Sequence, residues 1–252
     1  MPSASLAPRT ALAPVMFIAH GAPTFAVEPG QLGPMLRALG EQLPAVEAVA
    51  IISPHWQTHG VGTTVTARPE TIHDFGGFAR ELYELQYPVA GHPTLALRAA
   101  QALHAAGFPA GVDEQRGLDH GAWVPMMHMR PQGDIPVFQV SLPVDATPAS
   151  ALKMGQALAP LREQGVLIMG SGSITHNLND VLRGHGRVEP YAQAFVDWTR
   201  QAVTARDLDS LAAYRSLAPG ATRAQPSDEH YLDRKSTRLN SSHGYISYAV
   251  FC

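Results

Sequence analysis

Cysteine is almost missing from this sequence: the single Cys252 is the last of 252 residues. No disulfide can close within the chain and no thiolate cluster can form, so any bound metal must take nitrogen and oxygen ligands. Lysine is nearly as scarce, at Lys153 and Lys235, and charged residues make up 15% of the chain. With a net charge of −3 and no Lys/Arg cluster, the sequence lacks the electrostatic footprint of nucleic-acid binding. No apolar run approaches the length that crosses a bilayer, so no membrane association is expected. Residues 12–19 are apolar but few, are broken by Pro14, and have neither a basic leader nor a small-residue cleavage site. They predict a first strand rather than a signal peptide, and the expectation is a soluble, cytoplasmic protein.

No internal repeat and no low-complexity linker divides the chain, so one domain is expected. Strands are predicted at 15–19, 48–53, 61–66, 137–141 and 166–170, all short β-branched or apolar runs bounded by Gly, Pro or Ser. Helices are predicted at 32–42, 94–106, 149–163 and 190–205 from apolar spacings of three and four. Strands alternating with helices predict a three-layer α/β/α domain around a mixed central sheet. The irregular stretch 68–93 contains Asp74-Phe75-Gly76-Gly77-Phe78, which fits a loop packed near a pocket. Composition breaks after Asp233, where the second lysine, four serines and the cysteine fall together. Residues 233–252 resemble a translated sequencing adapter and are set aside as a foreign tail, leaving 1–232 as the expected catalytic domain and His243 without functional weight.

What the sequence does have is histidine, twelve in all. His20 ends the first apolar run, followed by Gly21, which lets the chain turn sharply; His55 ends the second, behind Pro54. His176 follows the 166–170 run and a Gly/Ser turn, a position suited either to metal ligation or to general-base work. Open α/β sheets bind ligands at such carboxyl ends, and imidazole is a common metal ligand, so a mononuclear metal centre is the expectation. A strand-end histidine bonded to a backbone carbonyl is the plainer alternative for His20. His120 has Asp119 beside it as an orienting carboxylate and Trp123 nearby. By local sequence alone His230 reads as an exposed loop residue. His59, His73, His92, His104, His128 and His185 read as structural or surface residues.

His20-Gly21-Ala22-Pro23, Ser53-Pro54-His55-Trp56, Asp74-Phe75-Gly76-Gly77-Phe78, Leu118-Asp119-His120-Gly121-Ala122-Trp123, Gly170-Ser171-Gly172-Ser173 and Asp228-Glu229-His230 occur in that order. Together they resemble the class III extradiol ring-cleavage dioxygenases, and most of all their 4,5-DOPA dioxygenase branch. The likeness runs from about Val15 to Leu232 and stops at Asp233, which implies a chain truncated before further core segments. It implies a non-haem Fe(II) centre, with Zn(II) possible in the same site, held by His20, His55 and His230. His176 becomes a fourth metal ligand or an acid–base group, and His120 a second catalytic histidine. The implied substrates are a small catechol and O2. A chelatase, a zinc hydrolase and a non-catalytic binding protein on the same scaffold are the competing readings.

Overall fold

A computed structural model describes residues 12–183 and 187–232. Six strands, β1 (Val15–Ala19), β2 (Ala48–Thr58), β3 (Val61–Thr64), β4 (Ala110–Asp113), β5 (Val137–Pro143) and β6 (Val166–Gly172), form one sheet in the order β1-β6-β2-β5-β3-β4. β1, β6, β2 and β5 run parallel; β3 is antiparallel to β5, and β4 is parallel to β3. The sheet is therefore mixed, as the sequence predicts, and four carboxyl ends share one edge. The helices are α1 (Leu32–Glu41), α2 (Arg80–Glu84), α3 (Pro93–Ala105), α4 (His120–Met129), α5 (Pro148–Leu158), α6 (Leu178–Arg183), α7 (Pro190–Thr204), α8 (Leu208–Ala212), α9 (Tyr214–Leu217) and α10 (Ala221–Ala224).

Alternation along the strands sorts the core into two faces. Met16, Ile18, Val49, Ile51, Leu167 and Met169 pack on Leu36 of α1 and on Trp123 and Met126 of α4. Val15, Ala48, Ala50, Ile52, Val166 and Ile168 pack on Leu95 and Leu103 of α3 and on Met154 and Leu158 of α5. These are the three layers. A third cluster, built from α7 to α10, closes on Phe17 and Tyr231 at the β1 edge. No helix among the described residues is long and apolar enough to cross a membrane.

The differences from expectation have local causes. The predicted helix at 149–163 stops at Leu158 and continues as a 3-10 turn over Ala159–Gln164, where Pro160 offers no N–H to an α-helical bond. β4 was not predicted; its four residues, Ala-Gly-Val-Asp, carry only one β-branched side chain. α4 was not predicted either, because it is buried on nearly every side and has no polar stripe to betray its period. β2 does not end at Ser53 but runs on to Thr58 through an irregular stretch. Residues 233–252, with His243, and His185 lie outside the described residues.

Candidate metal centre

The carboxyl edge of the sheet gathers five histidines. His20 leaves β1 with its backbone N–H on Gly172 of β6 at 3.3 Å, and Gly21 turns the chain away at φ +66°. His55 lies in the irregular part of β2, where five residues advance on β2 while β5 advances two (Ile52 pairs with Val140, Gln57 with Leu142). A bulge of this kind re-aims a side chain; here His55 Nε2 comes 3.1 Å from His20 Nε2. Gly121 makes this approach possible: a Cβ there would sit 2.4 Å from Ser53 Oγ and 3.0 Å from the His55 ring. His120 opens α4, its ring 4.0 Å from that of His55 and 5.5 Å from that of His20. The His230 ring lies 5.3 Å from both His20 and His55, and His176 stacks on it at 3.5 Å. One nitrogen from each of His20, His55 and His230 falls within 4.8 Å of the others.

His230 is not the exposed loop residue that its local sequence implies; it is 4% exposed. Gly172 admits it, since a Cβ there would meet the His230 carbonyl at 2.3 Å. That carbonyl accepts from Ser173 N–H at 3.3 Å. Behind it Tyr231 is buried against Tyr214 and Phe195, and the Tyr214 hydroxyl donates to Asp228. Gln225 Nε2 donates to the Ser173 and Ile174 carbonyls, and His176 N–H to Ala224 at 2.7 Å. α7 to α10 and the segment that follows them thus hold both His176 and His230 over β6.

Burial, reinforced for most of them by neighbouring imidazoles, holds His20, His55, His176 and His230 neutral. It pushes His20 well below the ordinary histidine range, with His55 and His120 adding repulsion. Burial and His120 bring His55 down to about 4 against the pull of Asp119 and Asp74. His230 is lowered strongly for the same reasons, and His176 by burial, against Glu229. Neutral imidazoles with free lone pairs are what a cation requires. His230 Nδ1 is buried without a hydrogen-bond partner among the described residues, a loss of about 1–3 kcal/mol for an ordinary polar atom and one that a bound cation would relieve. The donor set fits a borderline metal ion.

The orienting carboxylate for His120 is Asp74, not Asp119. Asp119 precedes α4 with extended backbone (φ −75°, ψ 169°), and its carboxylate turns away from the His120 ring. Asp119 points instead into the protein, accepting from Ser53 Oγ at 2.8 Å, Gln139 Nε2 at 2.7 Å and Arg116 Nη2 at 3.3 Å. Asp74 comes from the aromatic Gly-Gly loop and accepts from the His120 backbone N–H at 2.8 Å. It also sits 3.0 Å from His120 Nδ1 and 3.8 Å from His55 Nδ1. Burial opposes its ionisation, but the His120 hydrogen bonds and charge outweigh that and bring its pKa to about 2. Phe75 stands edge-on to His120 at 5.7 Å. The sequence placed this loop near a pocket without singling out Asp74; its signal was an acidic residue beside paired glycines and aromatics.

Of the other described histidines, His59 and His104 are exposed, and three make structural hydrogen bonds. His73 Nε2 lies 2.9 Å from the Leu85 carbonyl and His128 Nε2 2.9 Å from the Phe25 carbonyl, while His92 Nδ1 accepts from Leu95 N–H at the start of α3.

Residues 18–232 match the family described as the catalytic LigB subunit of aromatic ring-opening dioxygenase. The chain is 39% identical to the 4,5-DOPA dioxygenase extradiol of Beta vulgaris, over 85% of this chain and 82% of that one. It is 36% identical to the 4,5-DOPA dioxygenase extradiol of Escherichia coli K12, over 87% and 82%, and 32% identical to a dioxygenase of Hapsidospora irregularis, over 89% and 76%. A crystal structure of an uncharacterized protein from Escherichia coli K12 superposes with a TM-score of 0.74 at 29% identity, covering 91% of this chain and 88% of that one. The chain belongs to the LigB family of aromatic ring-opening dioxygenases and is an extradiol ring-cleaving enzyme.

Proposed function

We propose that this enzyme opens the ring of a catechol with O2 at one mononuclear Fe(II) held by His20, His55 and His230. Zn(II) suits the same three imidazoles. The observation that carries this reading is the convergence of one nitrogen from each, within 4.8 Å, in a buried and neutral cluster. When bound, the ion would lower the pKa of catechol hydroxyls, drawing the substrate in as its anion, and leave positions open for O2.

The remaining groups handle the substrate's protons. His176 takes a proton from a catechol hydroxyl: burial keeps its imidazole unprotonated at neutral pH, and it borders the cluster. Its stacking on His230, planes 17° apart, favours this role over ligation. Imidazole lone pairs lie in the ring plane, so those of two stacked rings run side by side and do not converge on one point. His120 commits Nδ1 to Asp74, which leaves Nε2 to hold a proton and deliver it as the ring opens. Phe75 supplies an apolar wall beside it for the aromatic ring.

L-DOPA is the first substrate to try, since the relatives above at 36–39% identity are named for it. Anaerobic protein is loaded with Fe(II), mixed with L-DOPA or a simple catechol, and opened to air. Oxygen uptake with a yellow semialdehyde product is expected. No uptake with any catechol by the Fe(II)-loaded protein would overturn the proposal.

A further inference from the structure

Pro125 lies in the middle of α4. It has no N–H, so the α-helical bond that residue 125 would make to the Gly121 carbonyl, four residues back, is missing. That carbonyl instead accepts from Ser171 Oγ, a wholly buried hydroxyl near the end of β6. The same oxygen lies 3.1 Å from His20 Nδ1. A hydroxyl carries one hydrogen and a carbonyl only accepts. The Ser171 hydrogen therefore goes to Gly121, and toward His20 its oxygen can act only as acceptor.

We infer that Ser171, anchored on the carbonyl left open by Pro125, is a positioning residue that fixes the proton of His20 on Nδ1. The lone pair is then on Nε2, the nitrogen that faces His55 across 3.1 Å. A metal-bound histidine commonly donates its other ring N–H to a fixed acceptor, which sets tautomer and ring orientation. Here Ser171 supplies the acceptor through a hydroxyl backed by the helix that carries His120, and because the Ser171 backbone also bonds the His20 ring, a variant that removes only the hydroxyl tells the two apart. The bearing of this on metal binding rests on the proposal that His20 is a ligand; the position of the proton does not.

The test uses the full chain, metal-free, with 15N-labelled histidine at pH 7.5. Long-range 1H–15N spectra report which ring nitrogen of His20 is protonated, and Zn(II) affinity is measured separately by competition with a chelator. In the wild type His20 is expected as the Nδ1–H form. In Ser171→Ala the Nε2–H form should appear and Zn(II) affinity should fall about 10- to 100-fold. Ser171→Thr, which keeps a hydroxyl, should restore both. An Nε2–H His20 in the wild type overturns the inference, and that readout needs no variant to fold. So does a Ser171→Ala protein with unchanged tautomer. A shifted tautomer with unchanged Zn(II) affinity supports the proton assignment and sinks His20 as a ligand, so the two claims fail separately.

Discussion

Both carboxylate oxygens of Asp74 lie 3.0 Å from Nδ1 of His120, and one of them also takes the His120 backbone N–H. With a pKa near 2 the carboxylate stays charged at any working pH, so it accepts the Nδ1 proton of His120 and fixes the orientation of the ring. Asp74→Asn keeps the shape and removes the charge. General acid–base groups contribute about 10²–10⁴-fold, so kcat should fall by about 100-fold or more. Metal content should stay near one ion per chain, because Asp74 is not among His20, His55 and His230. Oxygen uptake together with elemental analysis checks both; wild-type turnover in Asp74→Asn would take the Asp74–His120 pair out of the chemistry.

His176 and His230 touch face to face yet are assigned different work. His230→Ala should lose the metal on gel filtration. His176→Ala should keep it and lose turnover by about 10²–10⁴-fold, the range of a missing general base. Loss of metal from His176→Ala would make it a fourth ligand instead.

The buried imidazoles make the metal-free protein sensitive to mild acid. Above about pH 6.5 these histidines are neutral in the folded and unfolded chain alike, and they contribute nothing to the pH dependence. Below that pH the unfolded chain takes up protons that the folded one refuses, down to about pH 4 for His55 and further for His20 and His230. Unfolding free energy must then fall with pH, on the order of 1 kcal/mol per pH unit for each fully buried histidine. Asp74 adds nothing in this window, since its stabilisation is lost only between about 4 and 2. Urea midpoints of metal-free protein at pH 7.5 and pH 5 should therefore differ clearly, with the lower at pH 5. Equal midpoints would mean that the cluster is hydrated and protonated in the folded state.

How far the sequence could be read depended on whether each feature has a local signature. The central strands do, as short apolar runs between turn formers, and so His20 and His55 were placed at the carboxyl edge from sequence alone. His176 was legible through the Gly/Ser turn behind the 166–170 run. His230 was not: its burial comes from a packing cluster assembled out of α7, α9 and Tyr231, which local sequence does not show, and only the family likeness pointed to it. Asp74 and Ser171 meet their histidines across 46 and 151 positions of chain, so their roles come from the fold alone. Asp119 misled because it is the extended residue just before α4, where its carboxylate is taken up by Ser53, Gln139 and Arg116 instead of the neighbouring ring.

The His230 turn lies against the sheet only because residue 172 has no side chain. A Cβ at Gly172 would fall 2.3 Å from the His230 carbonyl and 3.2 Å from the Phe17 ring, and both neighbours are tightly held. The carbonyl belongs to backbone anchored by Tyr231 and Asp228, and Phe17 sits in the third core cluster. Gly172→Ala must push the turn outward. Overpacking of this kind costs about 1–3 kcal/mol, and the displacement carries the His230 nitrogen away from His20 and His55. The metal-free variant should show a lowered urea midpoint and, where still folded, a weaker Zn(II) affinity than wild type. Gly111→Ala in β4 is the control, because a Cβ at that position meets nothing within 4 Å. If Gly172→Ala matches Gly111→Ala in both measurements, the turn has room to spare, and His230 is not held where a shared ion would need it.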